Sequence, residues 1–178
     1  MPKQEEVVKY FQLLDDAWSN LLDDFKNGIF DLPPEVEGPI RGYLFAECLR
    51  LMRRRSFEKP YQIWEEESYR SLFPDITLGS LGKRAEKRVL AIEIKYVGAC
   101  DRRTKKEVER DVRKLGEYSD DTVGSCFVMI DTSQRYKECL NLESLGIKKG
   151  CWKWRTVTQK ESRPFDALVA WKGELVKY

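Results

Sequence analysis

Three charged side chains stand where this chain should be apolar. The run Val89-Leu90-Ala91-Ile92-Glu93-Ile94-Lys95-Tyr96-Val97 reads as a buried β-strand with an acid and a base in its middle. Upstream, Phe73-Pro74-Asp75-Ile76-Thr77-Leu78 reads as a second apolar strand that also carries an acid. Burying charge is costly unless it is paired or bound to a metal. Side chains two apart share a strand face, so Glu93 and Lys95 point one way and Leu90, Ile92, Ile94 and Tyr96 the other. An acid and a base side by side on a hydrophobic sheet, with Asp75 available from a neighbouring strand, is what a metal-dependent phosphodiesterase needs. The plainer explanation is an ion pair on an exposed sheet face, which is worth little. The apolar neighbours on both faces, and the same anomaly at Asp75, argue against it.

The elements that must hold these residues follow from periodicity and breakers. Val7, Phe11, Leu14, Trp18, Leu21, Leu22 and Phe25 recur at helical spacing from about Lys3 to Lys26, and Asn27-Gly28 closes the helix. Residues 1–30 are read as an N-terminal amphipathic helix, a packing or dimer element, ahead of a domain spanning 31–178. After Asp31-Leu32-Pro33-Pro34, a second helix is predicted from about Glu35 to Arg54, with Pro39 in its first turn. A short strand near Tyr61 to Glu65, the Asp75 strand and the Glu93 strand follow. A charged helix is predicted from Arg103 to Tyr118 on a narrow stripe of Val108, Val112 and Leu115, then a buried strand from Val123 to Ile130 ending at Asp131. Ser133 to Leu145 is predicted as helical. Strands over Cys151–Val157 and Phe165–Trp171 complete the chain, with a turn at Lys172-Gly173. Trp152, Trp154 and Trp171 read as core rather than as base-stacking platforms, which would need exposure. The fold class is α/β, with a mixed sheet.

Composition removes several chemistries. None of the 178 residues is histidine, which excludes Ser-His-Asp and Cys-His catalysis and His-containing zinc sites. The five cysteines are odd in number and lack C-x-x-C spacing, arguing against zinc, iron–sulfur clusters and a disulfide framework. No apolar run approaches membrane-spanning length. The N-terminus lacks a signal-peptide core, so a cytoplasmic location with no membrane partner is expected. The net charge of +2 is small, but basic clusters at Arg53-Arg54-Arg55, Lys83-Arg84, Lys87-Arg88 and Arg102-Arg103 with Lys105-Lys106 bracket the acid-bearing strands. They read either as a solvated surface or as phosphate contacts.

On Pro74-Asp75 and Glu93-Ile94-Lys95, set in consecutive strands between an acid-bearing helix and a basic helix with a further strand, the chain resembles the PD-(D/E)XK nuclease superfamily. The resemblance covers roughly Glu35 to Asp131. It implies a restriction-endonuclease-like αβββαβ core, a central mixed sheet flanked by helices, with the first helix as an addition. It further implies that Asp75, Glu93 and the backbone carbonyl of Ile94 ligate Mg²⁺, with Mn²⁺ as a substitute, and that Lys95 orients the attacking water. Many members add an acid from the first core helix. Glu37 at its start is preferred here over Glu47 in its middle, with a helix-dipole role as the competitor. Some branches carry a Gln-x-x-x-Tyr helix after the Lys strand. Lys114-x-x-x-Tyr118 is the comparable pattern, without the Gln, and the four-cysteine frame of some of those relatives is absent. Lys83, Arg84, Arg103, Lys106, Arg110 and Lys114 are the nucleic-acid-binding candidates. The alternation of bases with Glu107, Glu109 and Asp111 equally suits a solvated helix.

The expected function is therefore a Mg²⁺-dependent deoxyribonuclease, acting as an endonuclease and as a homodimer in restriction, repair, junction resolution or mobile-element defence, with RNA left open as substrate. The alternatives are a non-catalytic nucleic-acid-binding or assembly subunit on the same fold, and a protein–protein adaptor.

Overall fold

The computed structural model describes residues 4–29, 37–55, 57, 61–65, 73–81, 86–118, 124–158 and 163–172. Helix α1 spans Gln4–Lys26 and α2 Gly38–Arg54. Strands β1 (Tyr61–Glu65), β2 (Ile76–Leu81) and β3 (Glu86–Val97) follow. Then come α3 (Arg102–Tyr118), β4 (Gly124–Asp131), a single helical turn α4 (Tyr136–Cys139), β5 (Trp152–Val157) and β6 (Phe165–Lys172). Lys83, Arg84, Val123 and Gly173 lie outside the described residues.

The six strands form one mixed sheet in the order β1-β2-β3-β4-β6-β5. Among the described strands, β3 and β4 are the one neighbouring pair that runs parallel, and α3 is the connection that a parallel pair requires. The observed order helix, three strands, helix, strand from α2 to β4 is the expected one. Helices cover both faces, so the central β4 is buried at every residue and reads as a continuous apolar run. Leu90, Ile92 and Ile94 of β3 pack toward α1 and α2, whereas Ala91 and Val97 pack toward α3. The period-2 division read from the sequence thus sets which layer each side chain joins.

The apolar stripe of α1 is used inside the chain. Val7, Phe11, Leu14, Trp18, Leu21, Leu22 and Phe25 are all 6% exposed or less and share one core cluster with α2 and the sheet. Tyr10 donates its hydroxyl to the Gly79 carbonyl (3.0 Å), tying α1 to β2. The helix is thus packed as part of the domain, and its stripe is not free to serve a second copy. It ends as expected, with Gly28 in the left-handed region (φ 68°). At Gly79 the β2–β3 register slips, and a Cβ there would lie 2.1 Å from the Lys87 carbonyl oxygen. Only glycine admits that approach.

Two predicted elements differ. The Asp75 strand begins at Ile76, so Asp75 stands just before it. The helix expected over Ser133–Leu145 is cut to Tyr136–Cys139 and a 3₁₀ turn at Glu143–Leu145. Buried Asp131 accepts the backbone N–H groups of Ser133, Arg135 and Tyr136, which fixes a tight turn into α4. The chain then turns extended at Leu140, so that Leu140, Leu142, Leu145 and Ile147 are buried at a spacing no single helix provides. Trp171 is core, as expected, but Trp152 and Trp154 are only half-buried at the sheet edge.

Candidate active site

The site forms where β3 outruns β2. Their pairing reaches Ile76 opposite Ile92 and stops, while β3 continues beside β4 to Val97. Backbone N–H groups on the vacated side of β3 need acceptors, and two carboxylates supply them. Ile94 N–H donates to Asp75 Oδ2 at 2.6 Å, and Tyr96 N–H donates to Glu37 Oε1 at 3.4 Å. Glu37 caps the start of α2, yet its side chain makes no capping bond and turns to the sheet. Residues distant in sequence thus meet at Glu93–Tyr96.

On the α3 side of β3, Glu93 is 4% exposed. The Tyr118 hydroxyl donates to its Oε1, and Lys114 Nζ lies 3.2 Å from its Oε2. Lys114 also lies 3.0 Å from Asp111 Oδ1. Lys95 Nζ stands 3.6 Å from Asp111 Oδ2 and 3.1 Å from Glu37 Oε1. A continuous line of alternating charge therefore runs from Tyr118 through Glu93, Lys114, Asp111 and Lys95 to Glu37. At its border, Arg41 Nη1 is 3.9 Å from Asp75 Oδ1, and its Nε pairs with Glu65 at 2.9 Å.

The electrostatics follow from burial. Loss of water pushes the Glu93 carboxyl up to about 7, against the Tyr118 and Lys114 contacts that favour its charge, and the Asp75 carboxylate adds to the rise. Burial likewise raises Asp75, against its bond from Ile94 N–H, with Glu37 adding repulsion. Burial acts to lower Lys95 and Lys114, but their acidic neighbours outweigh it and hold both ammonium groups above the ordinary lysine value. The site is a crowded acid cluster kept compact by two ammonium groups.

The structure brings together Asp75, Glu93, Ile94, Lys95, Glu37 and Lys114 among the residues singled out by sequence. It separates Glu47, which bonds Asn20 (2.7 Å) and Arg50 and so joins α1 to α2. Arg103, Lys106 and Arg110, with Arg102 and Glu107, line an open groove of about 480 Å³ along α3. Lys114 instead faces inward.

Sequence reasoning missed two contributors. Asp111 was grouped with the solvated charges of α3, yet it is 5% exposed. The signal was present: Val108, Asp111, Val112, Leu115 and Tyr118 form one helical stripe. Arg41 left no local signal, because its role depends on β1 and the Asp75 loop meeting above α2.

The candidate donors are all oxygen: the Asp75 and Glu93 carboxylates and the carbonyl of Ile94, next to Glu93 on β3. Among the described residues, no three Asp, Glu or Cys side chains are grouped so that they could hold a cation between them. A hard cation that keeps most of its waters needs only one or two carboxylates, and two desolvated acids that repel one another suit it. The residues fit such an ion, with Lys114 occupying one side of Glu93. No protein-family model matches the chain, and no curated protein matches it in sequence.

Proposed function

We propose that the chain is a Mg²⁺-dependent nuclease of the restriction-endonuclease-like class, hydrolysing DNA phosphodiesters at the Asp75–Glu93–Lys95 site. The observation that carries this reading is the convergence of Glu37, Asp75, Glu93 and Lys95, from three separate segments, on one stretch of β3. The order of elements from α2 to β4 supports the αβββαβ core that this class implies.

A bound Mg²⁺ supplies Lewis-acid polarisation of the phosphate and a water of lowered pKa. Asp75 and Glu93 would hold the ion, with the Ile94 carbonyl as the third donor available. Lys95, held as an ammonium between Glu37 and Asp111, orients the attacking water by donating to it and offsets charge that builds on the phosphate oxygens. Glu37 fixes the Lys95 head group, so its part is positioning. Arg103, Lys106 and Arg110 hold the polymer through its phosphates. Lys83 and Arg84 belong to the same proposed contact.

The test is nicking of supercoiled plasmid with Mg²⁺ or Mn²⁺ against EDTA. Metal-dependent nicking is expected. Salt-sensitive DNA binding without any cleavage would instead favour a nucleic-acid-binding subunit on this fold. A homodimer and a cytoplasmic location remain part of the proposal, with oligomeric state readable by sedimentation.

A further inference from the structure

Outside the acid cluster, two thiols that the sequence placed far apart are in contact. Cys100 Sγ and Cys139 Sγ lie 3.3 Å from one another across a separation of 39 residues. Both are partly exposed. Their positions are built rather than incidental. Cys100 occupies the connection between β3 and α3, and Cys139 closes α4, its N–H donating to the Arg135 carbonyl at 3.2 Å. The α4 turn is pinned by Asp131, and Tyr136 donates its hydroxyl toward the Ala99 carbonyl at 3.5 Å. The two thiols are thus held face to face by a hydrogen-bonded frame on each side.

We propose that Cys100 and Cys139 are a redox-responsive dithiol that closes to an intramolecular disulfide. Bond formation needs the sulfurs to approach from 3.3 Å to roughly 2 Å. The other cysteines are poorly placed for such chemistry. Cys48 and Cys126 are fully buried, and burial pushes both thiols up, Cys48 to about 12. Cys151 is partly exposed, as Cys100 and Cys139 are, but the sulfur contact among the described residues is between those two.

The oxidant class is a small disulfide such as oxidised glutathione. Burial, with the neighbouring Cys100, pushes the Cys139 thiol up to about 11. One thiolate of the pair attacks one sulfur of the small disulfide, forming a mixed disulfide and releasing one small thiolate. The second protein thiol, losing its proton to solvent, then attacks the protein sulfur of that mixed disulfide and expels the other small thiolate. Two protein thiols are oxidised by two electrons, and one small disulfide is reduced to two thiols. The resulting bond encloses α3 and β4. It fastens the start of α3, the helix that carries Asp111, Lys114 and Tyr118, to the turn after β4.

The test uses the whole protein equilibrated with oxidised glutathione. Intact mass should fall by two hydrogens with no adduct, reactive thiols should fall by two, and digestion should yield a Cys100–Cys139 linked peptide. The melting temperature should rise by roughly 5–10 °C, as expected for closing a loop of this length. Cys100→Ser and Cys139→Ser should each abolish the change, and Cys151→Ser should leave it intact. An unchanged thiol count, a lasting glutathione adduct, or a bond to Cys151 would overturn the proposal.

Discussion

Lys114 Nζ lies 3.2 Å from Glu93 Oε2, on the side of that carboxylate that faces α3. The same ammonium reaches Asp111 at 3.0 Å, so one cation neutralises two buried acids. A divalent ion on Glu93 must compete with it. Replacing Lys114 with Gln removes the competitor, leaving Glu93 with the Tyr118 hydroxyl and Asp111 with Lys95. Mn²⁺ affinity, measured by calorimetry, is expected to rise about tenfold, a coupling of about 1.4 kcal/mol. The metal-free protein is expected to lose about 1–2 kcal/mol, less than a fully buried pair because Lys114 keeps some solvent. Unchanged or weaker Mn²⁺ binding would show that Lys114 does not shield the site.

Glu93 sets a pH dependence whose sign is fixed by its burial. Its carboxyl rises from an ordinary value of 4.5 to about 7 in the folded protein, so the folded state binds this proton more tightly than the unfolded state. The stability tied to it is full below 4.5 and is lost as pH rises through about 7, in total about 3 kcal/mol. Glu93→Gln stays neutral throughout. The difference in urea midpoint between the two proteins, followed from pH 5 to 8 without metal, is expected to move in favour of the variant. Parallel curves would contradict the assignment. If Glu93 holds Mg²⁺ as proposed, ion and proton would compete for its carboxylate, and nicking is expected to increase across the same interval.

Under the proposed function, the two helix acids divide structure from chemistry. Glu47 accepts from Asn20 on α1 and from Arg50 on α2, so Glu47→Ala is expected to cost about 0.5–1.5 kcal/mol, chiefly through the lost Asn20 bond because partly exposed Arg50 turns to water, while leaving nicking unchanged. Glu37 faces Lys95 and Tyr96 N–H. Glu37→Gln is expected to lower nicking about tenfold or more, mainly in the cleavage step, with stability within about 1 kcal/mol of the parent. Denaturant melts beside single-turnover rates separate the two effects. The reverse pattern would make Glu47 the helix acid.

The legible parts of this chain were those set by local period. Alternation along Val89–Val97 placed Glu93 and Lys95 on one face, and that is where they lie. The stripes of α1, α2 and α3 were visible as helical repeats. What escaped was set by tertiary contact. Asp75 and Glu37 act as acceptors for β3 N–H groups only because β2 stops at Ile76, and no strand pattern reports where a partner ends. Asp111 looked solvated because its neighbours Arg110 and Arg113 are. The short α4 turn escaped because Asp131 spends its carboxylate on the backbone just where helical spacing seemed to start.

We propose that Asp75, Glu93 and Lys95 form one metal-dependent cleaving site. The most direct measurement is supercoiled-plasmid nicking by the parent, Asp75→Ala and Lys95→Ala proteins in Mg²⁺ and in EDTA, with folding checked by circular dichroism. The parent is expected to nick only with the ion, and each folded variant to fall by a factor of about 100 or more, of the size seen when one charge-stabilising group is lost. Nicking that persists in EDTA, or that either substitution leaves untouched, would contradict the account.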